Sequence, residues 1–299
     1  MATPLTTPDR ESVARRLLTG SSRRSYDPMI DIDWDAAIEP DRYFLPARMV
    51  TLYGTPLWDQ LSEAQRIRLS REELANLLST GIWFENVLIQ GLARMILHDD
   101  PTAAHVHYAL TEMGDETRHM VMFGRVISAI GAQPYRLTSW SLLLAGRIPA
   151  TLRGTMLWVA ALVGEEIFDT LQREMIQDET LQPIVRQMMR IHVAEEARHI
   201  RYAREGVRRR IQSAGPLDRF MTARSVALGG PIMGYSLANP AMYQRAGLDP
   251  KRAHAAALAN PNNIANKTRG FAELAEFLRA NRVFSPLAER SWRRWGFLG

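Results

Sequence analysis

Two stretches of this chain, 80 residues apart, carry the same metal-ligand side-chain types at matching spacings, and this repeat limits the possible folds severely. Glu85, Glu112, Glu116 and His119 recur as Glu165, His192, Glu196 and His199. Each half offers one carboxylate and, 31 residues later, a Glu-x-x-His pair. Residues three apart on a helix share a face, so each pair points one way. A four-helix bundle whose two hairpins each turn such a set inward can hold two metal ions in its core. The echo therefore predicts an all-α fold built around a dinuclear metal core.

A single Glu-x-x-His would mean little. With 18 Glu and 7 His in 299 residues, composition alone yields about 0.4 such matches per chain. Two matches, each preceded at the same distance by a Glu in an apolar helical stretch, mean much more. The competing reading of either pair alone is a solvated helix face with salt bridges. Cysteine is absent, which removes disulfides, thiolate zinc sites and cysteine-ligated iron–sulfur clusters. Histidine and carboxylate remain, a donor set for iron or manganese.

The rest of the chain is organised around these helices. Residues 1–69 are mixed in character, with prolines, aromatics and the acidic stretch Asp31 to Asp35, and read as an arm lying on the main body. From Ser70 to His98 an apolar stripe through Leu74, Leu78, Ile82, Leu88 and Leu92 predicts the first bundle helix. Asp100-Pro101 is expected to end it and to open the second, with Pro101 in the first turn and a stop at Gly131. Residues 132–148, with Pro134 and Gly146, are the long crossover. The third helix follows Pro149 to about Gln177, its inward stripe running through Trp158, Ala161, Leu162 and Glu165 to Phe168. Asp178 or Thr180 is expected to cap the fourth, with Pro183 in its first turn and an end near Gln212. Gly229-Gly230-Pro231 and the prolines near 240 and 250 should break residues 213–299 into short helices that cap the bundle. Residues 70–212 thus form the metal bundle, between an arm and a cap, in one compact domain.

Glu85 sits among Ile82, Leu88, Ile89 and Leu92, where an unpaired carboxylate would be costly. Glu165 and Glu166 compete for the equivalent place in the second half. The 80-residue offset favours Glu165, and Glu166 is the fallback. His192 shares a helical face with Glu196 and His199 and is taken as a seventh ligand, the alternative being a hydrogen-bonded core histidine. Its counterpart Glu112 is expected beside the site. Asp115 and Arg118 flank the first pair, and Glu195 and Arg198 flank the second. A metal-bound imidazole usually donates its other N–H to a carboxylate. Asp115 can serve His199 in this way and Glu195 can serve His119, with Arg118 and Arg198 neutralising the acids. Ordinary surface pairing within each helix is the alternative for these four residues.

Asp115-Glu116-Thr117-Arg118-His119 and Glu195-Glu196-Ala197-Arg198-His199 resemble the doubled signature of ferritin-like di-iron carboxylate oxygenases. The third histidine, in His192-x3-Glu196-x2-His199, resembles more narrowly the AurF-type arylamine N-oxygenases, the p-aminobenzoate N-oxygenase family. So do Gly81-Ile82-Trp83-Phe84-Glu85-Asn86 and Gly164-Glu165-Glu166-Ile167-Phe168-Asp169. The likeness covers roughly residues 70–212, and more weakly the segment from Asn239 to Asn260. It implies a ferritin-like bundle binding two iron ions through Glu85, Glu116, His119, Glu165, His192, Glu196 and His199. It also implies O2 as co-substrate and oxidation of an aromatic amine through hydroxylamine and nitroso stages toward a nitro group. The imidazole-rich shell favours a peroxo di-iron oxidant.

No flavin or nicotinamide motif is visible, so electrons are expected from an external ferredoxin or reductase. The net charge of +5 and pI near 9.8 suit an acidic protein partner. No zinc-finger or aromatic RNA-binding pattern accompanies that charge, and no nucleic-acid role is expected. Residues 1–30 are arginine-containing without an apolar core, and the longest apolar run, Gly154 to Gly164, is too short to span a bilayer. A cytoplasmic homodimer without membrane contact is the expectation. The rival enzyme reading is a di-iron C–H hydroxylase or desaturase, with a carrier-bound molecule among its candidate substrates. The non-enzymatic rival is ferritin-like iron handling. A radical-generating subunit is disfavoured, because neither metal helix pair has an obvious redox tyrosine beside it, Tyr108 and Tyr202 being the only candidates nearby.

Overall fold

The computed structural model describes residues 9–136 and 147–299, the side chains of Pro149 and Phe168 excepted. Most of the predicted crossover, residues 137–146 with Gly146, and the Phe168 side chain therefore lie outside the described residues. Among the described residues there is no β-strand, only an isolated bridge between Tyr43 and Leu181, and no helix is long and apolar enough to cross a membrane.

Helix α1 (Arg10–Arg23) is followed by single turns at Pro28–Asp31 and Pro56–Asp59. The bundle then comprises α2 (Glu63–Ile96), α3 (Ala104–Ala129), α4 (Thr155–Gln177) and α5 (Pro183–Ser213). Short connections make α2 with α3, and α4 with α5, antiparallel hairpins. The remainder is α6 (Pro216–Leu237), α7 (Pro240–Arg245), α8 (Pro250–Ala259), α9 (Pro261–Ala280) and α10 (Pro286–Arg294). The all-α expectation holds.

Three helix boundaries differ from the sequence reading. Helix α2 starts at Glu63, not Ser70. Gln65 N donates to Ser62 Oγ at 3.3 Å, and Ser62 N donates to Gln65 Oε1 at 2.9 Å, a reciprocal cap for an amphipathic first turn. Helix α3 starts at Ala104, so Pro101 lies in the preceding turn, where Asp100 Oδ1 accepts from Thr102 N at 2.8 Å. Ala103 has no capping side chain. Instead Glu11 reaches across from α1 and accepts the Ala104 N–H at 2.8 Å. Neither Asp178 nor Thr180 caps α5: Gln182 occupies that place, with Pro183 first in the helix as expected. The Gln182 Nε2 group donates to Glu39 O at 2.7 Å and Arg42 O at 3.0 Å, tying the arm to the bundle.

The larger departure is α6, which runs unbroken through Gly229-Gly230-Pro231. Proline removes one N–H from the helix ladder and pushes the chain apart. Helix α10 compensates: Ser291 Oγ donates to Ala227 O at 2.6 Å and Trp292 Nε1 donates to Val226 O at 2.8 Å. That approach needs glycine. A Cβ on Gly229 would meet Trp292 at 2.8 Å, and one on Gly234 would meet Trp295 at 2.1 Å. Gly234→Ala is accordingly expected to destabilise the fold by about 1–3 kcal/mol, read as a lower denaturant midpoint at unchanged slope.

The core divides into two apolar clusters. One joins Leu88, Leu92, Tyr108, Trp158, Leu162, Tyr202 and Val207 with the inner faces of α1, α6, α9 and α10. The other joins Leu74, Leu78, Met122, Phe123, Val126, Met188 and Ile191 with the arm, α7 and α8. Glu85 on α2, residues 112–119 on α3 and residues 192–199 on α5 fall in the gap between the two clusters. A polar belt is thereby clamped between two dry plugs.

Candidate metal centre

Each of the four bundle helices sends carboxylate or imidazole groups into that belt. Donor atoms of Glu85, His119, His192 and Glu196 lie within 4.8 Å of one another. Those of Glu116, Glu165, Glu196 and His199 form a second group of the same dimensions. All seven residues named from the sequence are therefore brought together, and all are buried. Glu196 is common to both groups.

The contacts at the middle explain why. Glu116 Oε2 lies 2.9 Å from His119 Nδ1, and its Oε1 lies 2.8 Å from His199 Nδ1. Glu196 spans the same two rings from the other side, with Oε1 3.3 Å from His119 Nδ1 and Oε2 3.4 Å from His199 Nδ1. Two carboxylates thus each straddle both halves, the arrangement that bridging ligands require. Glu85 Oε1 lies 3.7 Å and Glu196 Oε1 3.4 Å from His192 Nε2. Glu166 is elsewhere: its carboxylate is held by the Arg204 guanidinium. Between Glu165 and Glu166, only the former faces the cluster.

The far sides of the rings are also occupied. His119 Nε2 lies 2.9 Å from Glu195 Oε2, and His199 Nε2 lies 3.2 Å from Asp115 Oδ2. Each acid thus serves the histidine of the facing helix, the crossed pairing expected from the sequence. Arg118 pairs with Asp115 and sits 3.7 Å from Glu195. Arg198 sits 3.4 Å from Asp115 and 3.7 Å from Glu195. Two guanidinium groups so balance two carboxylates. Glu112 is buried one helical turn from Glu116, and burial pushes its carboxyl up to about 8.

One contact has no counterpart in the sequence reading. Gln172 Oε1 lies 2.7 Å from His192 Nδ1, so the amide accepts the Nδ1–H and leaves Nε2 free toward Glu85 and Glu196. Gln172 follows Glu165 by seven residues, two helical turns along the same face. The signal was there: its partner in the echo is Leu92, and His192 against Glu112 is the other unmatched pair. Gln172→Leu is expected to weaken metal affinity about 10–100-fold, measured by competition with a chromophoric chelator. Gln172→Glu, which keeps an acceptor, should restore most of it.

The sequence profile of p-aminobenzoate N-oxygenase AurF matches residues 7–281. The chain belongs to the AurF family. It is also 33% identical over 236 residues to the uncharacterized protein Rv0885 of Mycobacterium tuberculosis and to the uncharacterized protein Mb0909 of Mycobacterium bovis. Those alignments cover 75% of this chain and 66% of each relative, so the chain spans just under two thirds of their length. The AurF family is one of helical di-iron oxygenases.

The buried donors of this AurF-family centre fit divalent ions. Both oxygens of Glu165 and of Glu196, His192 Nε2 and His199 Nδ1 are buried without a hydrogen-bond partner. Unsatisfied buried polar atoms are costly, and lone pairs converging on one another call for a cation. Without one, burial and then the repulsion of Glu116 and Glu196 raise Glu85 well above the ordinary carboxylate range. Burial and the same two neighbours raise Glu165. Against the cost of burial, the adjoining carboxylates raise His119 and His199, while their imidazoles hold Glu116 and Glu196 low. Burial drives His192 down to about 4, so it stays neutral.

The metal-free centre is thus balanced: two imidazolium rings face two carboxylates, and two carboxyls are protonated. Loading two divalent ions replaces those protons. About four protons are expected to leave per pair of ions near neutral pH. Calorimetry in buffers of different ionisation enthalpy measures this, and affinity should rise with pH because the displaced groups are all raised.

Proposed function

We propose that the chain is a non-haem dinuclear iron oxygenase that oxidises an aromatic amine through the hydroxylamine and nitroso levels toward the nitro group. The observation that supports it best is the pair of donor groups meeting at Glu196, each completed by side chains from both hairpins. On this reading Glu85, His119 and His192 hold one iron, Glu165 and His199 hold the other, and Glu116 and Glu196 lie between them. Manganese accepts the same donors. When bound, two reduced irons supply the site at which O2 is activated for transfer of an oxygen atom.

The protein's part is positioning and exclusion. Glu195 and Asp115 accept the Nε2–H of His119 and His199, fixing each ring with Nδ1 inward. Gln172 does the opposite for His192, turning Nε2 inward. Four carboxylates offset four positive charges, so the loaded centre needs no further counter-ion in a dry interior. Glu85, Glu165 and His192 also form the polar floor of a cavity of about 190 Å³ walled by Trp83, Phe84 and Phe123. An apolar cavity on the order of 150 Å³ accepts a benzene ring, so one aromatic amine fits with its nitrogen at the floor. Such a pocket also favours an enzyme over an iron store. Electrons come, on this reading, from an external ferredoxin or reductase.

The test is anaerobic loading with iron(II), then O2, a reductant and a panel of arylamines, with products followed by mass spectrometry. Hydroxylamine, nitroso or nitro products are expected. Hydroxylated or desaturated carbon skeletons would move the protein to the rival di-iron class. Retained iron with no amine oxidation would contradict the reading.

A further inference from the structure

The cavity over the centre has a chemical bias that its family description does not suggest. Its floor carries Glu85, Glu165 and His192, the only ionisable side chains among the described residues that line it. Its walls are aliphatic and aromatic, closed by Ile148 and by Val226, Leu228 and Ile232 of α6. The chain has 37 lysines and arginines, all of them among the described residues, and none lines this cavity. Three basic side chains engage groups outside it. Arg153 lines a separate cavity with Arg94 and Arg210, and Arg224 lies over the Phe220 ring. Lys267 lines a third cavity and donates to Trp295 O at 2.8 Å.

We propose that this cavity selects neutral aromatic amines and excludes those bearing a carboxylate, 4-aminobenzoate among them. The inference rests on the reading above that the cavity receives the amine. With the nitrogen at the metal floor, a para substituent points into the apolar wall. A neutral methyl or ester group gains contact there. Among the described residues a carboxylate loses its water and meets no cation, and burying an unpaired charge is strongly disfavoured. The wall offers it the neutral Trp83 N–H and the Thr151 and Ser225 hydroxyls, which already donate to Ile148 O and Met221 O. The four carboxylates of the centre already match the charge of two divalent ions, so it offers no surplus positive field to compensate.

Methyl 4-aminobenzoate and 4-aminobenzoate isolate the charge, since the two differ little in shape. Their binding to the anaerobic iron(II)-loaded protein, by calorimetry, is expected to favour the ester by at least about tenfold. Equal or tighter binding of the acid overturns the proposal, and so does failure of the ester to bind. Leu228 is exposed at the cavity edge, so Leu228→Arg should fold normally. This variant should narrow the gap by at least about threefold. A gap that it leaves untouched assigns the discrimination to shape and overturns the charge argument. Ester binding with no N-oxidised product on adding O2 and reductant supports the selection and contradicts the reaction assigned to it.

Discussion

Glu196→Ala is expected to lower the iron content of the anaerobically loaded protein from about two ions per chain to one or fewer, and to abolish oxygenase turnover. Most ligand substitutions would disturb one donor group. This one removes the residue shared by both, whose two oxygens face His119 and His199 from one carboxylate. Glu116 cannot replace it, because its own oxygens already face the same two nitrogens. Glu196→Ala also costs folding, because against the cost of burial the facing His199, His192 and His119 rings stabilise this carboxylate and lose it as a partner. In the metal-free state burial, and after it the charge of Glu196 and Glu116, raises Glu85 and Glu165. Glu196→Gln separates the two, because it keeps size and one acceptor while losing the charge. It should retain the fold by circular dichroism and still bind iron poorly. Full iron content in either variant would remove Glu196 from the shared position.

Removing metal should be felt by the whole fold. Each of two ions held at about a thousand times its dissociation constant stabilises the native state by roughly 4 kcal/mol, and a chain of this size gains about 2–4 °C per kcal/mol. The loaded protein is therefore expected to melt more than about 15 °C above the chelated one. The belt lies between two separate apolar clusters and joins all four helices, so relaxing it loosens both hairpins together. The pH dependence has a definite sign. Buried Glu73 and Glu112 are pushed up to about 7 and about 8 by burial. A carboxyl raised in the folded state favours folding below its ordinary range and loses that advantage as pH rises through the raised value. The chelated protein should thus lose stability as pH rises from the ordinary carboxyl range toward about 8. The loaded protein should lose less, because metal has already displaced the protons of the raised Glu85 and Glu165 while Glu73 and Glu112 keep theirs. Differential scanning fluorimetry across that range, with and without chelator, measures both slopes.

What the sequence made legible is the part written by local periodicity. A spacing of 80 residues was enough to choose Glu165 over Glu166, and the structure turns only Glu165 to the cluster while Arg204 holds its neighbour. The crossed pairing of Asp115 with His199 and Glu195 with His119 was also readable, because acid, ligand and base recur in the same order in both halves. Gln172 was not read, since an amide carries no ligand signal of its own. Its role depends on which nitrogen of His192 needs an acceptor. The continuity of α6 was misread for a related reason. Gly229-Gly230-Pro231 looks like a break until Ser291 and Trp292, some sixty positions on, supply the missing donors. The cavity could not be seen either, because its walls come from α2, α3, α4, α6 and the turn Ile148–Thr151 at once.

Anomalous diffraction from crystals loaded anaerobically with iron(II) tests the central claim most directly. Two iron peaks roughly 3.5–4 Å apart are expected between Glu116 and Glu196, one beside Glu85, His119 and His192, the other beside Glu165 and His199. A single peak, or iron bound only outside the belt between the two apolar clusters, would contradict the account.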